Sequence, residues 1–125
     1  MRPVAVVGEI GENSVFAIGE DRVMSIDVRI ESEDGDIEAE LFDPGHLTAR
    51  LADSYPGSDS ICLRFIDPYG DTTFNQVQLP VLIVEIESAL ESATDSDVKA
   101  HGQAMLELAR QANSHVHTYP KFYGD

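Results

Sequence analysis

From Met24 to Glu31 the chain alternates strictly. Met24, Ile26, Val28 and Ile30 are apolar, and Ser25, Asp27, Arg29 and Glu31 interleave with them. A period of two sends side chains to opposite faces of an extended backbone, so this segment is expected to be a strand with one buried and one wet face. Glu33-Asp34-Gly35-Asp36 follows, and Asp-Gly supplies the positive-φ residues of a tight hairpin turn. Ile37, Ala39 and Leu41 then alternate with Glu38, Glu40 and Phe42. The two segments commit the chain to antiparallel sheet with an apolar side that other elements must cover. They also set Asp27, Glu31, Glu38 and Glu40 on the same solvated face, where like charges across a ladder repel.

The rest of the first half reads as further sheet. Val4 to Val7 and Ser14 to Ile18 are short strand candidates separated by turn-prone residues. Ile61 to Ile66 is a nearly continuous apolar run and the best candidate for a central strand covered on both faces. His46 to Ala52 is expected as a short helix with Leu47 and Leu51 on one side, and Asp67-Pro68-Tyr69-Gly70-Asp71 as a turn. The second half is mostly helical. Asn75 is placed to cap, Pro80 fits only a first turn, and Leu79, Leu82, Ile83, Ile86 and Leu90 trace one helix face, with Glu85, Glu87 and Glu91 lying away from it. Thr94-Asp95-Ser96-Asp97 marks a second start, ahead of a small-residue face of Val98, Gly102, Met105, Ala109 and Ala112. His115 to Tyr119 is expected to add a last strand. The expected fold is a single α+β domain over residues 1–125, an antiparallel sheet with two C-terminal helices packed on one face.

Charge decides which partners are excluded. The 125 residues carry a formal net charge of −15, and twelve of the 23 acids fall between Glu9 and Asp43, opposed there only by Arg22 and Arg29. Such a field repels phosphate backbones and anionic lipid surfaces and draws in basic partners, so neither nucleic acid nor membrane is expected as a partner. The apolar residues interleaved with the acids separate this segment from a disordered acidic tail. Cys62 is the single cysteine. It permits no intramolecular disulfide and, inside an apolar run, reads as a buried free thiol suited to a reducing compartment. No apolar stretch reaches the length of a membrane span, and the apolar run after Arg2 stops at Gly8-Glu9, which sets a cytoplasmic location as the expectation.

Two segments, Ile66-Asp67-Pro68-Tyr69-Gly70-Asp71-Thr72-Thr73-Phe74-Asn75 and His117-Thr118-Tyr119-Pro120-Lys121-Phe122-Tyr123-Gly124-Asp125, carry a resemblance. They are similar to a group of small bacterial proteins in which a strand ends in an Asp-Pro-Tyr-Gly-Asp turn, two helices follow, and the chain nears its end at Lys-Phe-x-Gly-Asp. The resemblance covers roughly the second half of the chain. It implies an α+β fold and a setting of toxin neutralisation, and it brings no activity with it.

Catalytic chemistry finds little purchase. His115 and His117, two apart, would share one side of a strand and could ligate a metal together with His46, His101 or a carboxylate, but a zinc site needs three or four ligands. Glu31 to Asp36 fails the EF-hand spacing. Gly8-Glu9-Ile10-Gly11 is no phosphate cradle beside Glu9 and Glu12, and no serine sits in a nucleophile elbow. No catalytic residue, metal site or cofactor is expected. The leading expectation is an acidic binding protein for a basic protein partner, an immunity protein against a nuclease-like bacterial toxin. Its partner-binding residues would be Asp27, Glu31, Glu33, Asp34, Asp36, Glu38 and Glu40, with Tyr69 as an aromatic anchor. A face that only confers solubility is the plain alternative. Two further readings are a small metal-dependent enzyme built on His115 and His117, and an adaptor module docking through its aromatic tail or a sheet edge. The oligomeric state stays open.

Overall fold

The computed structural model describes residues 25–124. The strand candidates Val4 to Val7 and Ser14 to Ile18 lie outside them. The alternating segment forms β1, Ile26–Ser32, with Ile26, Val28 and Ile30 buried, and the hairpin leads into β2, Ile37–Leu41. Gly35 takes φ 92° in the turn, and Ser32 closes it: its N–H donates to the Asp36 carbonyl, while its hydroxyl accepts the N–H groups of Asp34 and Asp36. A positive φ costs glycine nothing, which is why Asp-Gly works here.

β2 departs from the expected alternation. Ile30 pairs with Ala39 but Glu31 pairs with Ile37, so Glu38 is the extra residue of a β-bulge. The slip moves Ile37 off the buried face and onto the open one, where it is 51% exposed. Ala39 and Leu41 remain in the core.

Among the described residues the sheet has four antiparallel strands in the order β2-β1-β4-β3, with β3 at Asp71–Thr73 and β4 at Thr118–Gly124. The expected last strand at His115 to Tyr119 therefore starts too early. His117 adopts φ 64°, which ends the approach from the preceding helix, and the strand runs from Thr118 instead. Pro120 sits in this interior strand without breaking it. Its carbonyl accepts the Phe74 N–H, so its N–H-less side faces the place where β3 has already ended, and the ladder to β1 is intact.

The two segments that carry the resemblance meet in space. Asp71 pairs with Tyr123, Thr72 with Phe122 and Thr73 with Lys121, and the Gly124 N–H donates to the Gly70 carbonyl at 2.8 Å. A Cβ on Gly124 would fall 2.4 Å from the Pro68 carbonyl carbon, so only glycine admits this approach. Turn and tail form one joint.

The Ile61 to Ile66 run is not a strand. It curls into a short 3-10 turn, Leu63–Phe65, leaving Ile61 and Phe65 exposed and Cys62 and Leu63 buried. The physical reason lies on a helix. Glu85, expected to lie away from the core, is buried, and its carboxylate accepts the N–H groups of Ile61 at 2.6 Å, Cys62 at 3.0 Å and Leu63 at 2.9 Å. Three consecutive N–H groups converging on one carboxylate require a curled backbone, which an extended strand cannot supply.

Among the described residues, two helices lie on the buried sheet face and a third packs behind them. α1, Leu47–Asp53, lies against β1; α3, Ser96–Asn113, lies against β1, β2 and β4; and α2, Leu79–Ser92, packs on α3 and α1. Asp95 caps α3 as its sequence position implies, accepting from Asp97 and Val98, and Asn75 accepts from Val77 and Gln78 just ahead of α2. The small-residue face of α3 is buried, and a Cβ on Gly102 would reach 2.7 Å from methyls of both Leu51 and Leu90. Phe74 and Phe122 meet edge-on at 5.7 Å in the core between β3 and β4. The fold is α+β, and among the described residues the second sheet face carries the charged side chains of β1 and β2 together with Ile37 and the tyrosines of β4.

Candidate functional site

The residues between the buried positions of β1, β2 and β4 define an open face. Asp27, Arg29 and Glu31 of β1 stand opposite Tyr123, Lys121 and Tyr119 of β4, and Glu40 of β2 stands opposite Arg29. The expected array of like charges is therefore interrupted by cations on its middle row. Arg29 donates to Glu40 at 2.7 Å, and this bond raises the guanidinium's pKa further above its usual range. The same guanidinium sits 4.6 Å from the centre of the Tyr123 ring, and the Lys121 amine lies 5.1 Å from that ring. The Tyr123 hydroxyl donates to Glu31. Asp27 accepts the Asp43 N–H at 2.8 Å. Glu31 and Glu40 thus have partners within the sheet, and the repulsion expected across the ladder is relieved.

The hairpin end is different. Glu33, Asp34, Asp36 and Glu38 are all exposed, and Ile37 is exposed among them. Glu33 lies 3.3 Å from the His117 ring, a contact open to solvent on both sides. A groove of about 380 Å³ adjoins this end, lined by Glu31, Glu33, Thr73, Tyr119 and Lys121 among others. Tyr69 is exposed but belongs to the turn held by Gly124, at the Ile26 end of β1. The seven residues of β1 separate the two ends by roughly 20 Å. Tyr69 therefore does not stand beside the hairpin acids. The aromatic residue that does is Tyr119, paired with Glu31.

The histidines do not converge. His115 follows α3, with its Nδ1 2.9 Å from the Gln111 carbonyl, and His117 sits in the turn beyond it, so the expected shared strand face is not formed. Among the described residues no group of three or more His, Cys, Asp or Glu is placed to hold a metal ion.

Two buried sites escaped expectation. Asp43 accepts from Ile26 at 2.8 Å, from Leu47 at 2.6 Å and from Thr48 at 3.4 Å, tying the start of β1 to the start of α1. Burial pushes its carboxyl up to about 6 against these three hydrogen bonds. The Thr48 hydroxyl donates to the Ile26 carbonyl at 2.8 Å and therefore accepts from Nε2 of His101, also at 2.8 Å. Nδ1 of His101 is then the unprotonated nitrogen, buried and, among the described residues, without a hydrogen-bond partner, and burial lowers the ring to about 4. Glu85 is the second such site. It follows Leu82 by three residues and precedes Ala89 by four, so helical phase alone puts it in the buried stripe; only its charge argued otherwise. Beside it, burial and then Glu85 push the Cys62 thiol up to about 11, which removes it as a nucleophile at neutral pH.

A cavity of about 460 Å³ opens between α1 and the loop that precedes β3, lined by Ile26, Thr48, Ala52, Tyr55, Leu63 and Ile66 among others. Its polar lining also includes Asp53, Ser58, Ser60 and Arg64. No described helix is long and apolar enough to cross a membrane. Comparison with protein-family models, with curated proteins and with solved structures finds no match.

Proposed function

We propose that this protein belongs to the class of small acidic binding proteins that take a basic protein partner on a preformed surface. Within that class we read it as an immunity protein, an inhibitor that occupies the cationic site of a nuclease-like bacterial toxin in an intracellular setting. The observation that carries the reading is the hairpin end: Glu33, Asp34, Asp36 and Glu38 are exposed together, while Glu31 and Glu40 are bonded within the sheet. Exposed carboxylates at a hydrogen-bonded turn attract Arg and Lys that would otherwise hold phosphate, and they act first on the rate of encounter. The earlier candidate surface contracts from the whole sheet face to one end of it.

The test takes the product of the neighbouring reading frame, which this proposal requires to be a basic domain. Its expression in bacteria should arrest growth, and co-expression of this protein should restore it. In the variant Glu33→Gln, Asp34→Asn, Asp36→Asn, Glu38→Gln the association rate at low salt should fall at least about tenfold, with a shallower salt dependence. A rate unchanged by these substitutions would remove the hairpin end as the interface.

A further inference from the structure

We infer that the hairpin end recognises a cationic segment carrying an apolar side chain, with Ile37 as the apolar anchor and the groove beside Tyr119 receiving an arginine. The inference rests on the basic-partner reading and specifies the partner's chemistry. Its starting point is the bulge. Glu38 is the extra residue, and the slip places Ile37 opposite Glu31 on the open face, 51% exposed; without the bulge it would join Ala39 and Leu41 in the core. On the other side of Glu31 stands Tyr119, so Ile37, Glu31 and Tyr119 form one cross-strand row. Asp36 and Glu38 flank Ile37 in sequence, and both are exposed.

This pattern discriminates between partners. A wholly apolar surface laid on Ile37 would strip water from Asp36 and Glu38 and leave them unpaired, which is costly. A wholly cationic surface would leave Ile37 in water. The complement is mixed. The groove of about 380 Å³ is lined by Glu31, Glu33, Tyr119 and Lys121 among others, so it offers two carboxylates, one of them already accepting the Tyr123 hydroxyl, an aromatic side chain and one cation. A guanidinium stacks on an aromatic face and takes a carboxylate in its fork, and it sheds water more readily than an ammonium does. Two carboxylates against the one Lys121 amine leave the groove with a net negative charge of one, which one incoming cation neutralises.

The experiment uses three synthetic peptides of equal length and charge, measured by fluorescence anisotropy at low and moderate salt. The first alternates arginine and serine, the second replaces its central serine with leucine, and the third is the second with lysine for every arginine. Wild type should bind the leucine peptide about tenfold more tightly than the first, the effect of burying one aliphatic side chain. Ile37→Ser should reduce that preference to within about twofold, and Ile37→Thr, which keeps a strand-forming side chain, should do the same. The lysine peptide should bind more weakly than its arginine counterpart. If both Ile37 variants keep the leucine preference, or if lysine matches arginine, the inference is overturned and the acidic hairpin stands. If wild type binds none of the peptides more tightly than the fourfold neutralised variant does, the basic-partner reading fails and takes the inference with it.

Discussion

Asp43 and His101 should make opposite contributions to stability over the same pH range. Both are buried, and both connect to Thr48, Asp43 through the backbone N–H and His101 through the hydroxyl. The Asp43 carboxyl rises from an ordinary 3.8 to about 6, so the folded protein holds that proton more tightly than the unfolded chain does. Its contribution is fully present below about 3.8 and is lost as pH rises through about 6. The His101 ring falls from 6.5 to about 4, so the unfolded chain holds that proton more tightly. Its contribution is present above about 6.5 and is lost as pH falls through about 4. At about 1.4 kcal/mol per pH unit, each amounts to about 3 kcal/mol, with opposite sign. Urea unfolding from pH 7.5 to 3.5 would measure this on wild type, Asp43→Asn and His101→Gln. All other ionisable groups are common to the three proteins, so the differences isolate the pair. Between pH 7 and 4, wild type minus Asp43→Asn should grow by about 2.5 kcal/mol, and wild type minus His101→Gln should shrink by about 3 kcal/mol. Difference curves that are flat, or that slope the same way, would refute the assignment of these two buried groups as the opposing titrants.

Other consequences can be measured on the folded protein directly. Glu85→Gln replaces an acceptor oxygen with a donor facing the N–H groups of residues 61–63; it should cost about 2–4 kcal/mol in urea unfolding and open that loop to proteolysis. Gly124→Ala drives a methyl into the Pro68 backbone and should destabilise by about 1–3 kcal/mol, whereas Gly102→Ala meets only the ends of two leucines and gains helix propensity, so calorimetry should rank it the milder change. Asp95→Ala removes a helix cap and should lower stability by about 1 kcal/mol.

What the sequence makes visible here is local. The alternation of β1, the Asp-Gly turn, the Asp95 cap and the small-residue face of α3 each depend on neighbours within a few positions, and each is found where those neighbours put it. The departures come from partners far along the chain. Ile61 to Ile66 has strand composition, yet a glutamate 22 to 24 positions away gathers its N–H groups and curls it. Ile37 keeps the right parity for burial until a bulge changes it, and nothing in Glu38 announces that bulge. The candidate site follows the same rule. Its acids lie close together in sequence and were readable, whereas Arg29 and Lys121, which neutralise the middle of the face, become its centre only once β4 lies beside β1. Tyr119 rather than Tyr69 stands beside the hairpin acids for the same reason.

The placement of β4 also governs the order in which this sheet can be made. Residues 118–124 lie between β1 and β3, so these strands have no shared neighbour until that stretch has left the ribosome. The β1–β2 hairpin can close early, but β3 waits through the synthesis of both long helices for the strand that joins it to the sheet. A chain stopped before Thr118 would leave one edge of β1 unpaired, β3 without a partner strand and the core without Phe122. The last strand to be synthesised is thus the one that locks the sheet together.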